Sequence, residues 1–325
     1  MCARSLLKEW GRLLFEARWA TAIRVAVSLG EASREEKFLA RQAELSGRQM
    51  FQAEEFQSLL RRKESADTLF VMGSGASIRK LTLQNFTQIR AQRSVGVNNW
   101  GLHPFVPDFY ALESVPGVGD GKDFARAVGL LSRDDVVAAR PPLLVLRPRA
   151  GLNLPELDRL PSLLGDRVFY YGRVSPSTRR LENLESDIGR ILRLLSRRHS
   201  GVFFDSGASV VRMLGVALSL GLTRVVLTGV DLDNTKYFWE DNPDYDLSAL
   251  ENGPVNNQES SWGGKLSSGL HETMNPATRP FSVFDFLKSY APILLNDFGL
   301  NVLVASPESR LAEILPTFDW APDES

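Results

Sequence analysis

Gly73-Ser74-Gly75 follows the apolar run Leu69-Phe70-Val71-Met72 and gives way at Ala76-Ser77 to a polar, helix-starting segment. A buried strand that turns this tightly into a helix directs backbone N–H groups at an anion. Asn98-Asn99 closes a second apolar run. Paired carboxamides carry the donors and acceptors that read a base or ribose edge, and they also suit a plain turn. Asp205-Ser206-Gly207 opens an apolar helical run, where it caps the helix or seats a phosphate or carboxylate at the N-terminus. Three histidines, His103, His199 and His271, are the side chains whose ordinary titration lies near neutral pH.

These residues sit where strands end and helices begin. Apolar runs at 68–73, 93–98, 142–147, 167–171, 224–230 and 301–305 predict strands, and 108–113 predicts an edge-like one. Helical spacing predicts helices at 122–132, 154–163, 181–198, 207–220, 280–297 and 308–315. In the 181–198 segment Leu181, Leu184, Ile188, Ile191, Leu192 and Leu195 share one face. Alternation of this kind predicts an α/β fold, a Rossmann-like parallel sheet with helices on both faces. Such sheets take ligands outside the carboxyl ends of their strands. Residues 232–270 break the alternation with Asn, Asp, Gly and Ser, yet carry Tyr237, Phe238, Trp239, Tyr245 and Trp262. A loop this long and this aromatic is expected to be a lid over a site.

The chain's 325 residues suffice for one large core with an extension. A net charge of −1 argues against a nucleic-acid partner. One cysteine, Cys2, precludes an internal disulfide and fits a reducing, cytoplasmic setting. No apolar run reaches the roughly 18 residues of a membrane span. Residues 1–66 contain no proline and read as two or more helices, with Gly47 as a break. The first carries Arg4, Lys8, Arg12, Arg18 and Arg24 with Trp10 and Trp19, which suits an anionic membrane surface. Packing on the main domain or on a second copy in a homo-oligomer is the other reading. The expected division is therefore 1–66, a helical extension, and 67–325, a catalytic domain with a lid at 232–270.

The order strand–G-S-G-x-S, strand–Asn-Asn, D-S-G–apolar helix–L-G–strand–"TGVD", lid and histidine resembles the bacterial sialyltransferases of glycosyltransferase family 42. Its most specific part is "SGASVVRMLGVALSLGLTRVVLTGVDL", and it covers roughly 68–315. The resemblance implies a GT-A-like single domain and transfer of an acidic sugar from a CMP-sugar donor: sialic acid, another nonulosonic acid or Kdo. Nucleotide-sugar-binding roles fall on Gly73, Ser74, Gly75, Ser77, Asn98, Asn99, Ser206, Gly207 and Asp231. His271, just after the lid, takes the place of the catalytic base, and Tyr237 lies near that of a phosphate-stabilising tyrosine. A second such tyrosine position falls on Leu232 or Asp233. Asp205 stands where the family has a neutral hydroxyl residue. No metal or other cofactor is implied. The acceptor is a glycan, glycolipid or protein of a bacterial envelope, reached by a cytoplasmic enzyme peripheral at the inner membrane face.

Other readings remain. Asp231-Leu232-Asp233 spells the D-x-D pattern that holds a divalent metal in many sugar-nucleotide transferases. Related Rossmann-like domains transfer diphosphate from ATP to a pterin, with metal and phosphate clamps instead of a histidine base. A non-catalytic nucleotide-sugar-binding module is the third. No P-loop pattern G-x-x-x-x-G-K-[ST] is present. His103, in a Gly-Leu-His-Pro turn, and His199, at a basic helix end, are expected to be structural.

Overall fold

The computed structural model describes residues 3–46, 48–60, 63, 66–113, 129–146, 167–198, 201–233, 236–240, 242, 245, 272–274 and 281–322, with the side chains of the first helix from residue 19 to residue 44. Among them nine strands form one parallel sheet. They are β1 (Gln49–Met50), β2 (Thr68–Met72), β3 (Arg93–Val97), β4 (Phe109–Glu113), β5 (Leu143–Leu146), β6 (Val168–Val174), β7 (Val202–Phe204), β8 (Arg224–Thr228) and β9 (Asn301–Val304). Their spatial order is β1-β6-β5-β4-β3-β2-β8-β9, and β7 pairs with Gly172–Val174 of β6, beyond the two residues that β1 takes. Every residue of β2, β3 and β5 is buried. That is the pattern of a parallel sheet covered on both faces.

The seven predicted strands are all present. The expectation that 108–113 is edge-like is corrected, because β4 lies between β3 and β5 and pairs with both. Its alternation with polar flanks imitates an edge, but Phe109, Tyr110, Ala111 and Leu112 are all buried. β1 and β7 have no counterpart among the predictions. Two or three residues are too few for a period to register.

The helices are α1 (Ala3–Ser46), α2 (Ala53–Leu59), α3 (Leu83–Ala91), α4 (Asp134–Ala139), α5 (Leu181–Arg198), α6 (Ser209–Ser219) and α7 (Val283–Phe298). In α5 Leu184, Ile188, Ile191, Leu192 and Leu195 are buried as predicted, but Leu181, in its first turn, is exposed. The segment at 308–315 is a short 3₁₀ turn, Arg310–Glu313. The helices expected at 122–132 and 154–163 lie wholly or mostly outside the described residues.

The two or more helices expected in 1–66 are present: before α2 comes α1, a helix of 44 residues that ends at Ser46, directly before the expected break. Its buried positions Thr21, Val25, Ser28, Ala32, Glu35, Leu39 and Ala43 recur every three or four residues and make a single stripe. The stripe packs on β6 and α5. Arg24 binds the fully buried Asp187 through Nε at 2.6 Å and Nη2 at 3.0 Å. Ser28 and Ser177 share a 2.8 Å hydrogen bond. After α1 the chain adds β1 to the sheet, and α2 buries Phe56 against Phe51, Phe109 and Phe169. From residue 19 onward the extension is thus a layer of the same core. Arg24, expected on a membrane face, is turned inward. No helix among the described residues is long and apolar enough to cross a membrane.

Candidate functional site

The strand order reverses at β2: β3 to β6 lie on one side of it, β8 and β9 on the other. Ligands of open parallel sheets bind at such a point, beyond the carboxyl ends. Here the crevice between β2 and β8 is closed by backbone. Gly73 N–H donates to Thr228 O at 2.6 Å, and Gly75 N–H to Gly229 O at 2.8 Å. A Cβ on Gly73 would stand 2.5 Å from the Gly229 oxygen, so the approach requires glycine. Two N–H groups expected to face an anion are therefore bonded to protein, a correction to the sequence reading.

Asp231 completes this corner. It accepts from Ser77 N–H at 2.7 Å on Oδ2 and from Ser77 Oγ at 2.6 Å on Oδ1, capping the 3₁₀ turn Ala76–Lys80. Burial raises its carboxyl above the ordinary range, and the Ser77 hydrogen bonds oppose that rise only in part. Both oxygens of Asp231 are thus engaged in capping this turn. Among the described residues no group of three or more His, Cys, Asp or Glu is placed to hold a metal.

The start of the expected lid is packed. Tyr237 bridges Gly75 in antiparallel fashion, and Phe238 N–H donates to Ser74 O at 3.0 Å. Arg79 holds the same segment by its carbonyls, Nε to Phe238 O at 2.8 Å and Nη2 to Tyr237 O at 3.1 Å. Tyr237 stacks on the buried Trp239 with centroids 4.5 Å apart. Phe238 meets Trp100, His103 and Tyr245 edge-on. Tyr237, Phe238, Trp239 and Tyr245 thus make a plug over the ends of β2 and β3, while most of the expected lid, Trp262 included, lies outside the described residues.

A second cluster lies further along the same edge. Asn98, just past β3, adopts a left-handed backbone with φ 52° and donates its Nδ2 to Ser209 Oγ at 3.1 Å. Ser209 also donates to Glu113 at the end of β4. Arg212, one turn into α6, is fully buried between Glu113 and Asp205 and binds both. Asp205 accepts further from Gly207 N–H at 2.7 Å and from Arg173 Nη1, at the end of β6, at 3.1 Å. Burial alone would raise the Asp205 carboxyl, but Arg212 and Arg173 hold it below the ordinary range. Burial likewise opposes the charge on Arg212, yet Glu113 and Asp205 keep it firmly protonated. The Tyr171 hydroxyl beside them is pushed up to about 12, chiefly by burial.

The structure thus brings together Asn98 and the cap that holds Ser206 and Gly207, and separately Gly73, Gly75, Ser77, Asp231 and Tyr237. Ser74, Asn98, Asn99, Ser206 and Gly207 all keep solvent-accessible surface on the carboxyl edge. Leu232 is buried in the core, so of the two candidates for the second tyrosine position only Asp233 is exposed. His103 is structural: it is buried and stacks on Trp100 at 4.4 Å. Its Nδ1 accepts from Phe105 N–H at 3.0 Å, and burial, with Arg133 nearby, lowers its pKa to about 4. His199 and His271 lie outside the described residues. Glu272–Met274, directly after His271, forms a short turn whose Met274 is buried in the core.

Arg173, Arg212 and Glu113 had not been singled out. Arg212 offered the signal, because "SVVRMLGVALS" is otherwise an apolar, buried helix. An arginine there demands carboxylate partners.

No known family profile matches this chain, and no curated protein does. Among solved structures it is similar to the monofunctional α-2,3-sialyltransferase Cst-I from Campylobacter jejuni, with 14% identity over 79% of this chain and 82% of that one, at a TM-score of 0.41. It is also similar to the Campylobacter jejuni sialyltransferase CstII in complex with CMP-3FNeuAc, with 12% identity over 77% and 86% of the two chains and a TM-score of 0.43. At that level neither likeness carries a functional argument. The site's own geometry must do so.

Proposed function

We propose that this chain is an inverting glycosyltransferase that takes an acidic sugar from a CMP-activated donor. The hydrogen bond between Asn98 and Ser209 carries the reading. It joins the end of β3 to the start of α6, 111 positions apart in the chain. It supports a nucleotide-sugar cleft that takes in Asn98-Asn99 and the Ser206-Gly207 cap before α6, the residues to which the sequence resemblance gives that role. The donor is sialic acid, another nonulosonic acid or Kdo, and the acceptor a hydroxyl on an envelope glycan, glycolipid or protein.

In this reading the acceptor oxygen attacks the anomeric carbon from the face opposite the phosphate. The new C–O bond forms as the bond to phosphate breaks, and CMP leaves with the electron pair. His271 takes the acceptor proton, a task suited to imidazole, whose unperturbed titration lies near neutral pH. Tyr237 donates to the departing phosphate. No metal is assigned a step.

A thermal-shift panel tests the donor class, since a ligand of the folded state raises its apparent stability. CMP or CDP should stabilise the chain more than ATP, ADP or UDP, with or without EDTA. A preference for ATP with magnesium would instead favour diphosphate transfer. In a confirmed assay His271→Ala should lower the rate by about 10²–10⁴-fold and leave CMP affinity near wild type. Full activity in that variant would remove His271 from the mechanism.

A further inference from the structure

The geometry points to Arg173 as the residue that recognises the donor sugar's carboxylate, an inference that rests on the CMP-sugar reading. The difficulty it answers is Asp205. A carboxylate at this cap, bonded to Gly207 N–H at 2.7 Å, would repel an acidic sugar seated at Ser206-Gly207. Like charges at close range are costly away from bulk water.

Two arginines reach Asp205, and they differ in what they can do next. Arg212 is fully buried, with Nη1 on Asp205 and Nη2 on Glu113, so it neutralises from below and cannot reach a ligand. Arg173 stands at the carboxyl end of β6 with its side chain 37% exposed, and lends Nη1 to Asp205 Oδ2 at 3.1 Å. A guanidinium presents five N–H donors in a planar fork. One edge can hold Asp205 while the other receives a second carboxylate in bidentate fashion. The charge count agrees. Glu113, Asp205, Arg212 and Arg173 together are neutral, and without Arg173 the cluster is left with one net negative charge. Loss of Arg173 therefore penalises the donor's carboxylate seated beside it and bears less on the nucleotide, whose negative charge sits on its phosphate.

Calorimetry on the full chain separates the two ligands: CMP alone and a non-transferable CMP-sialic acid analogue. Arg173→Ala and Arg173→Gln should weaken the analogue by about tenfold or more, the value of a charged hydrogen bond. CMP should stay within about threefold of wild type on the same scale. Arg173→Gln retains a donor toward Asp205, so it keeps the test open should the alanine variant fail to fold. Adding Asp205→Asn to Arg173→Gln should not restore the analogue's affinity, because the direct contact is still missing. Equal losses for CMP and analogue, wild-type binding by Arg173→Gln, or full rescue by Asp205→Asn would each overturn the assignment. If the wild-type chain binds neither ligand, the transferase reading itself fails.

Discussion

The two halves of the carboxyl edge are held by opposite means. Around β2 and β8 the ends are joined by backbone: Gly73 and Gly75 N–H groups on β8-side carbonyls, with the Asp231 cap closing the turn. Around β4, β6 and β7 they are joined by side-chain charge, through the buried Arg212 between Glu113 and Asp205. The first half tolerates no added atom and the second no unbalanced charge. A glycine corner fixes where the chain goes, whereas an ion cluster fixes the electrostatics a ligand meets.

The charged half should suffer most from a single change. Arg212→Met leaves Glu113 without its cation and Asp205 with only the part-exposed Arg173, which should cost about 3–5 kcal/mol in denaturant unfolding. Adding Asp205→Asn and Glu113→Gln should recover most of that loss, since the cost is the unpaired charge. Failure to recover would mean that Arg212 acts through packing. The pH dependence follows from the depressed Asp205 carboxyl. The unfolded chain binds that proton more readily, so the stability is present above the ordinary value of 3.8 and is lost as pH falls below it, through the lower folded value. Asp205→Asn should flatten that acid limb.

The backbone half should respond less, and with the opposite sign in pH. Gly73→Ala drives a Cβ against a backbone oxygen that cannot swing away. Overpacking of this kind costs about 1–3 kcal/mol, and CMP stabilisation should fall with it. Gly30→Ala in α1, where a Cβ meets nothing within 4 Å, should instead stabilise, by about 0.5–1 kcal/mol. Asp231 has a raised carboxyl, so the folded chain binds its proton more readily. Its contribution falls as pH rises above 3.8 and returns on acidification. Urea titrations of Asp231→Asn and Asp205→Asn should therefore shift the acid limb in opposite directions. A shift of the same sign in both would erase the contrast between the halves.

Which parts were legible in the sequence follows from the same contrast. Strand ends announce themselves where β-forming runs break at Gly73 and Asn98, so most of the sheet and the location of its edge could be read in advance, but not β7 before Asp205. Periodicity also exposed the buried face of α5. It could not tell an interior β4 from an edge, because pairing partners leave no mark on a five-residue pattern. Nor could it reveal that Gly73 and Gly75 spend their N–H groups on Thr228 and Gly229, since that depends on a strand end more than 150 residues away. The ion cluster was hidden for the same reason: Glu113, Arg173, Asp205 and Arg212 come from four separate elements. Only the arginine inside an apolar helix hinted at it. Tyr237, Phe238, Trp239 and Tyr245 anchor the start of the expected lid, a contact that composition could not show because it records burial without saying what is buried against what; 246–270 lies outside the described residues.

The smallest expected effect on stability concerns α1, whose two faces repeat the contrast on one helix. One face carries Arg24 on buried Asp187. Removing residues 1–28 would strand that carboxylate, so such a truncation cannot test membrane binding cleanly. The other face exposes Trp19, Ile23 and Val27, one turn apart each, at 56, 57 and 44% of their full surface. An apolar stripe on a helix rich in Arg and Lys suits the surface of an anionic bilayer. Trp19→Ser with Ile23→Ser should move unfolding free energy by no more than about 0.5 kcal/mol per site, as exposed substitutions do. Co-sedimentation with vesicles of anionic lipid should fall sharply, while neutral vesicles bind neither protein. Equal binding of the double variant and the wild-type chain would remove the stripe from any membrane role. Loss of a dimer on sizing, with no change on vesicles, would assign it to a second copy of the chain.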